Sequence, residues 1–423
     1  VIASLLSALI LFSANAPPNV IFLSVDALRA DHLGCYGYSL PTSPHIDALA
    51  ERGMAFDDCV CMTPLTAPSF ASMLTSRNPR SIGVVRNGLS LPETVTTVPE
   101  LFRAAGYQTF CVQSNWTLKA RIARLQQGFD VYDDDFHQRR WGVLKSERSA
   151  DEVTQRALKC LQQRDPNRPF FAWFHYSDPH APYRFHPDFN PLGRSHERLG
   201  PVDRTRAKYD SEVAFTDHWI GRLLEVLPQE NTFIVFVADH GESLFEHDYL
   251  GHGRRLHQTS LHIPFVVIGP GIVPGRSSAP VCGLDVGPAL LGIAGIAPAS
   301  GMIGLDPLRA IVPSDRVRFV ETYGGAVPRI PGARSLMAGR APLRMGMLSG
   351  DWKLIVNARF DELYRLDADP AEMRNLAAEE CGRVERMKGH VNAWAASTPR
   401  REAPEAPLAE DDFKALKNLG YLE

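Results

Sequence analysis

No long basic run occurs in the 423-residue chain, and its formal net charge is only −3. That excludes the electrostatic footprint of a nucleic-acid-binding protein. CxxC pairs are lacking too: the seven cysteines (Cys35, Cys59, Cys61, Cys111, Cys160, Cys282 and Cys381) are scattered and odd in number. Such spacing excludes a structural zinc site built on paired cysteines and a dense disulfide framework. Most of the thiols read as small buried hydrophobes. There are no internal repeats and no long low-complexity segments. The apolar, uncharged run from Val1 to Ser13 (VIASLLSALILFS) is too short to span a bilayer and has no charged n-region. With small residues and Pro17-Pro18 behind it, it reads as the tail of a signal peptide or of an N-terminal membrane anchor, over residues 1–16. Export is therefore expected, with a periplasmic, extracellular or membrane-anchored protein as the result.

What is present is enough apolar residue, 44%, for one large core with an appendage. Asn19 to Val25 is a short continuous apolar run ending in Asp26. Such a run reads as a parallel strand buried on both faces. Gln108 to Val112 leads into Gln113-Ser114-Asn115-Trp116, and Pro169 to Phe174 leads into His175-Tyr176-Ser177-Asp178-Pro179-His180. Thr232 to Ala238 ends in Asp239-His240-Gly241-Glu242, and Ile263 to Ile268 is one more strand. Helices are expected between them, at Thr42–Gly53, Thr97–Ala105, Ser149–Gln163 and Tyr209–Leu227, with residues 184–206 as a surface excursion. The alternation predicts an α/β fold with a doubly wound, mostly parallel sheet whose strand ends meet at one active edge. After about residue 310 shorter segments alternate, Arg344–Leu348, Trp352–Val356 and Glu362–Leu366, with a helix from about Pro370. These predict a catalytic domain over 17–310 and a small C-terminal α+β subdomain, an antiparallel sheet with a terminal helix, over 311–423.

The stretch around which these strand ends are organised is Pro64-Leu65-Thr66-Ala67-Pro68-Ser69-Phe70 and the apolar helix that follows. Pro68 suits a first helical turn, so Thr66 falls at or just before a helix start. Free backbone donors and the positive end of the helix dipole there would hold an anion against the Thr66 hydroxyl. Asp26, Thr66, Asp239 and His240 together offer carboxylates, a hydroxyl and an imidazole, a set suited to one divalent cation (Ca, Mn, Zn or Mg). Such an ion would activate Thr66 as a nucleophile and polarise an ester oxygen. His180 and His252 are the candidates for protonating the leaving group or holding the anion, and Asn115 for a further hydrogen bond to its oxygens. The products would be an alcohol and a Thr66 ester that water cleaves, and the expected partner is an anionic ester substrate.

Each residue also has an ordinary explanation. Thr66 or Asp26 alone reads as a helix N-cap, and Asp239-His240-Gly241-Glu242 alone as a polar turn. His175 reads as a satisfied core or supporting group, His247 and His257 as loop residues. His180, between Pro179 and Pro182, is better placed because rigid turns pre-organise side chains.

The residues resemble a known family. Val25-Asp26-x-Leu28-Arg29-x-Asp31, Thr42-x-Pro44-x-Ile46-Asp47, Thr66-x-Pro68-Ser69, Asp178-Pro179-His180-x-Pro182-Tyr183, Ala238-Asp239-His240-Gly241-Glu242 and Gly251-His252-Gly253 are similar to motifs of the sulfatase family of the alkaline phosphatase superfamily. Trp352-Lys353-Leu354, Leu363-Tyr364-x-Leu366 and the terminal Leu419-Gly420-Tyr421 resemble its C-terminal subdomain. The resemblance implies an alkaline phosphatase-like fold, a metal site and ester hydrolysis. The chain departs from the pattern where the family oxidises a Cys or Ser to formylglycine and reads an Arg four residues on: Thr66 and Phe70 stand there. The methyl group on the Cβ of threonine prevents that oxidation from giving an aldehyde. Cys59 and Cys61 lack the modification signal, Asn115 and Thr117 stand at the family's Lys and His, and Ala27 at a second acid. A threonine nucleophile resembles instead the superfamily's phosphatases, phosphodiesterases and phosphoethanolamine or phosphoglycerol transferases. Three readings follow: a metal-dependent hydrolase or transferase acting on phosphate esters, a sulfate-ester hydrolase with unmodified Thr66, and an inactive metal-site binding module.

Overall fold

A computed structural model describes residues 16–136, 139–140, 143–144, 147–193, 195–228, 230–324, 342–404 and 409–418. The apolar opening Val1–Ser13 and the motif Leu419-Gly420-Tyr421 lie outside the described residues. The main sheet has eight strands: β1 (Asn19–Val25), β2 (Met54–Val60), β3 (Gln108–Val112), β4 (Val131–Asp133), β5 (Phe170–Tyr176), β6 (Thr232–Ala238), β7 (Phe265–Ile268) and β8 (Gly275–Cys282). Their order is β8-β2-β7-β6-β1-β5-β3-β4. Only β7 runs against its neighbours, pairing antiparallel with β2 and β6. Helices cover both faces, which is why β1, β5 and β6 are apolar along their length. The fold is alkaline phosphatase-like.

Register positions the site. Val25 of the central strand lies beside Tyr176 of β5 and Ala238 of β6. The next residue of each strand, Asp26, Ser177 and Asp239, therefore leaves the sheet at the same level. The helix Thr66–Thr75, with all ten residues buried, is packed over this edge.

Several expected boundaries shift. The long helix is Pro201–Leu224, eight residues earlier than its apolar pattern shows, because Gly200-Pro201 forms its N-cap and first position. The end of the proposed surface excursion is thus helical. Pro370 does not open a helix: the Asp369 carboxylate accepts from Met373 N and Arg374 N in a turn, and the helix begins at Cys381. Strands β2 and β8 were not expected, since Asp57-Asp58 and the Gly-Arg-Ser-Ser start of β8 hide the apolar pattern of strands near the sheet edge. Among the described residues no helix is long and apolar enough to cross a membrane.

A second, antiparallel sheet joins Arg318–Thr322, Arg344–Ser349, Trp352–Asn357 and Glu362–Arg365 in sequence order. Its outer side packs against helix Cys381–Ser397 through Met347, Leu354, Leu363, Val384, Met387 and Val391. Val320, Leu348, Ile355 and Tyr364 belong to the main core. A buried ion pair stitches this sheet to the loop that carries His252. Lys353 Nζ lies 2.6 Å from Glu372 Oε1 with 0% and 1% side-chain exposure, and Gln258 accepts from Lys353 Nζ while its own N–H donates to Glu372 Oε2. Removing one partner strands the other in low dielectric. Lys353→Met is therefore expected to destabilise the protein by about 3–5 kcal/mol, read as a lower urea midpoint, and the double variant Lys353→Met/Glu372→Leu to recover much of that loss.

Candidate active site

Chain sterics and hydrogen bonds aim the two acids at one another. Directly after Asp26 the backbone turns through Ala27 at φ +53°, a left-handed conformation disfavoured for a residue with a Cβ. The turn is held by Tyr209, whose hydroxyl donates to the Ala27 carbonyl at 2.7 Å. Ala27 N–H and His240 N–H both donate to Asp239 Oδ1, at 3.1 and 2.7 Å. Asn115 Nδ2 donates to Asp26 Oδ2 at 2.6 Å. This leaves Asp26 Oδ1 and Asp239 Oδ2 buried without a hydrogen-bond partner. His240 Nδ1 donates to the Gly241 carbonyl at 2.9 Å, so Nε2 presents its lone pair. That nitrogen lies 3.6 Å from Asp26 Oδ1, 3.5 Å from Asp239 Oδ2 and 3.4 Å from Thr66 Oγ1. Gly241 permits the turn, because a Cβ there would overlap the Thr259 carbonyl oxygen.

The donor chemistry fits a divalent cation. One ligand atom from each of Asp26, Asp239 and His240 lies within 4.8 Å of the other two, and all three residues are buried. Burial and the neighbouring Asp26 charge push the Asp239 carboxyl well above the usual range. For Asp26, burial also opposes ionisation, but His180, His175 and His240 outweigh it and hold that carboxyl low. Burial, with His252 adding to it, keeps the His240 imidazole neutral, the form that binds metals. Two desolvated carboxylates facing one another are costly unless a cation or a proton lies between them.

Thr66 is the first residue of its helix and Leu65 the N-cap, so an N-cap role does not account for the Thr66 hydroxyl. Ser69 Oγ fastens the helix start to the site by donating to the Asp239 carbonyl at 2.7 Å. The free backbone donors expected beside Thr66 are largely committed: Ala67 N–H donates to Asn87 Oδ1, Pro68 has none, and Ser69 N–H closes on the Leu65 carbonyl. Asn115 has a further contact in the site. Besides donating to Asp26, it accepts from Thr117 N and Oγ1, so its amide orients a carboxylate.

His180 and His252 reach the site from two other loops. The His180 and His252 rings are 5.1 Å apart and the His252 and His240 rings 4.3 Å, forming a row of imidazoles. His252 Nδ1 meets Glu242 Oε1 at 3.1 Å, and His180 Nδ1 lies 3.0 Å from Glu147 Oε1. Burial works against a charged His180, yet Glu147 and Asp26 overcome it and push its pKa up to about 10. His175 supports from behind, its Nδ1 on Ser24 Oγ and its Nε2 3.7 Å from Asp26 Oδ2. His247 and His257 stack on one another, and His257 pairs with Glu362 of the second sheet. Cys59 and Cys61 are buried, with thiols that burial drives well above their ordinary pKa.

Glu147, Glu242, Asn87 and Phe70 were not singled out as neighbours of the site from the residues alone. Glu242 had a signal in its motif. Glu147 had none, since a single β-bridge to Asn115 brings it in. Phe70 packs its ring 4.8 Å from Trp173 and 4.7 Å from His175, filling the space beneath the helix start.

A sheet edge that presents buried acids, an imidazole and a helix-borne hydroxyl defines an ester hydrolase of alkaline phosphatase-like fold. The sulfatase family model matches residues 18–296, and the chain belongs to the sulfatase family. The ulvan-active sulfatase of Formosa agariphila is 28% identical over 363 residues, covering 74% of this chain and 70% of that protein. The choline-sulfatase of Rhizobium meliloti is 25% identical over 440 residues, covering 87% and 84%. The phosphonate monoester hydrolase of Agrobacterium radiobacter superposes with a TM-score of 0.69 at 20% identity over 90% of this chain and 96% of that one, a likeness of fold.

Metal loading is testable without turnover. Titrating metal-stripped protein with Mn²⁺ is expected to raise its Tm, a hundredfold excess over Kd being worth about 2.7 kcal/mol. Asp26→Asn and Asp239→Asn are expected to lose that rise while the stripped proteins melt no lower than the parent, because each substitution relieves the carboxylate pair. Equal Mn²⁺ shifts in parent and variants would show that the ion binds elsewhere.

Proposed function

We propose that the chain is a metal-dependent hydrolase of phosphate mono- or diesters, or a transferase of a phosphate-linked group, with Thr66 as its nucleophile. The observation carrying this reading is the position of Thr66 Oγ1, 3.4 Å from a His240 nitrogen that itself faces both Asp26 and Asp239. Asp26, Asp239, His240 and the Thr66 oxygen would hold one divalent ion, Ca, Mn, Zn or Mg. That ion would supply Lewis acidity, lowering the pKa of the hydroxyl and polarising the ester. Thr66 attacks as the alkoxide, its proton having passed to solvent, and the bond to the leaving oxygen breaks. His180 and His252 face the anion, and His180 is the group that hands a proton to the departing alcohol. Asn115 orients Asp26, and His180 and His175 help keep it ionised.

Phosphorus is favoured for a chemical reason. A formylglycine hydrate has a second hydroxyl that expels the bound anion, and an esterified threonine has none. Water must then attack the intermediate directly, a step well suited to phosphorus when an ion and positioned donors hold its oxygens. A second reading, sulfate-ester hydrolysis by unmodified Thr66, is supported by the sulfatase relatives. A silent binding module would have no need of a nucleophile-bearing helix fastened to Asp239.

Thr66→Ala is expected to lower turnover at least about a thousandfold with little change in Tm, and Thr66→Ser to retain part of it. The decisive assay compares p-nitrophenyl phosphate, bis-p-nitrophenyl phosphate and p-nitrophenyl sulfate, with the mass of the Thr66 peptide read after rapid quench. Sulfate turnover without phosphate turnover overturns the substrate claim. Full activity of Thr66→Ala overturns the mechanism.

A further inference from the structure

Glu147 lies far from the other site residues in sequence, and the fold brings it in by a specific device. Its backbone forms an antiparallel bridge with Asn115, and the next residue donates from Arg148 N to the Ser114 carbonyl at 2.9 Å. The buried Arg148 guanidinium then clamps the segment, donating to the Gln113 carbonyl at 3.1 Å and to Asp133 Oδ1 at 2.8 Å. This lays residues 147–148 along the carboxyl end of β3, beside the residue that orients Asp26. From there the Glu147 carboxylate reaches His180, with Oε1 3.0 Å from Nδ1 and side-chain exposures of 20% and 1%. Arg184 and Glu212 line the same small cavity. His180 is fixed from the other side by its own N–H on the Ser177 carbonyl.

We propose that Glu147 is a positioning residue for His180: it keeps a hydrogen on Nδ1 and balances the positive ring, so that Nε2 is the proton-donating atom. This rests on the hydrolase reading above. When the bond from Thr66 Oγ to the central atom forms and the bond to the ester oxygen breaks, that oxygen keeps the electron pair and takes the Nε2 proton. The alcohol departs, and His180 is left neutral with hydrogen on Nδ1 against Glu147. In the second half water attacks, gives its proton to Nε2, and the Thr66 oxygen leaves with its pair. The cycle closes with His180 positive again. A carboxylate on Nδ1 serves both halves, since it stabilises the charged ring without competing for the reacting nitrogen.

The test is leaving-group dependence, measured with whichever ester class the parent enzyme turns over. A nitrophenolate leaves with little need of a proton, whereas an alkoxide needs one. Glu147→Gln is therefore expected to lower kcat/KM at least about tenfold more for an alkyl ester than for the matching nitrophenyl ester. His180→Asn is expected to show the same bias, and the double variant to be no worse than His180→Asn alone. An equal loss on both esters, or additive losses in the double variant, overturns the proposal. Should Glu147→Gln fail to fold, ¹⁵N shifts of the parent protein, assigned with His180→Asn, decide. A positive ring at pH 8 supports the proposal, and a neutral ring with hydrogen on Nε2 overturns it. Full activity of Thr66→Ala would defeat the hydrolase mechanism while leaving the ¹⁵N result to stand on its own.

Discussion

The architecture depends on one electrostatic constraint: two carboxylates, Asp26 and Asp239, are buried side by side just past the carboxyl ends of two central strands, each with one oxygen lacking a hydrogen-bond partner. Nothing in the apolar core stabilises that arrangement, so it persists because the surroundings dictate it. Parallel pairing of β1 with β6 puts Val25 level with Ala238, and the following acids cannot avoid one another. The Ala27 turn, Tyr209 and two backbone donors on Asp239 then fix which oxygens point inward. An unfavourable cluster maintained by this many favourable contacts is what a binding site for a cation requires.

Much of this was legible because strand ends write themselves clearly. Asn19–Val25 and Thr232–Ala238 are unbroken apolar runs ending in acid, and both became central strands of the sheet. Thr66 stood out through its Pro-Ser neighbours, and it opens its helix. What was hidden is equally physical. Strand β2 carries Asp57 and Asp58 and β8 a polar start, as strands near a sheet edge can, so neither shows a buried strand's pattern. That Asn115 donates to Asp26 was not legible, because this contact is set by a neighbour 89 residues away. The committed donors at the helix start follow from Asn87, which no local pattern ties to Thr66. Glu147 depends on a single bridge, and one bridge leaves no periodicity to read.

The residue at position 70 links the apolar core to the site. Where the family resemblance leads to an arginine, Phe70 places a ring that meets Phe22 and His175 edge-on and Trp173 at a tilt, a cluster continuous with the apolar core. A guanidinium in that position would be desolvated among aromatic rings beneath the helix start, and the residues around it have the shape of a ring rather than of a fork of donors. Ala67 N–H is also committed to Asn87, and the groups that stand beside the buried acids are a row of imidazoles. Two rings of that row have a carboxylate beside Nδ1, Glu147 for His180 and Glu242 for His252, whereas the Nδ1 of His240 bonds a backbone carbonyl. Glu147 and Asp26 favour the charged ring at His180, whereas burial keeps the His240 ring neutral. The neutral His240 ring turns its free nitrogen to Asp26 and Asp239, and the difference between the rings follows from which partner each Nδ1 meets.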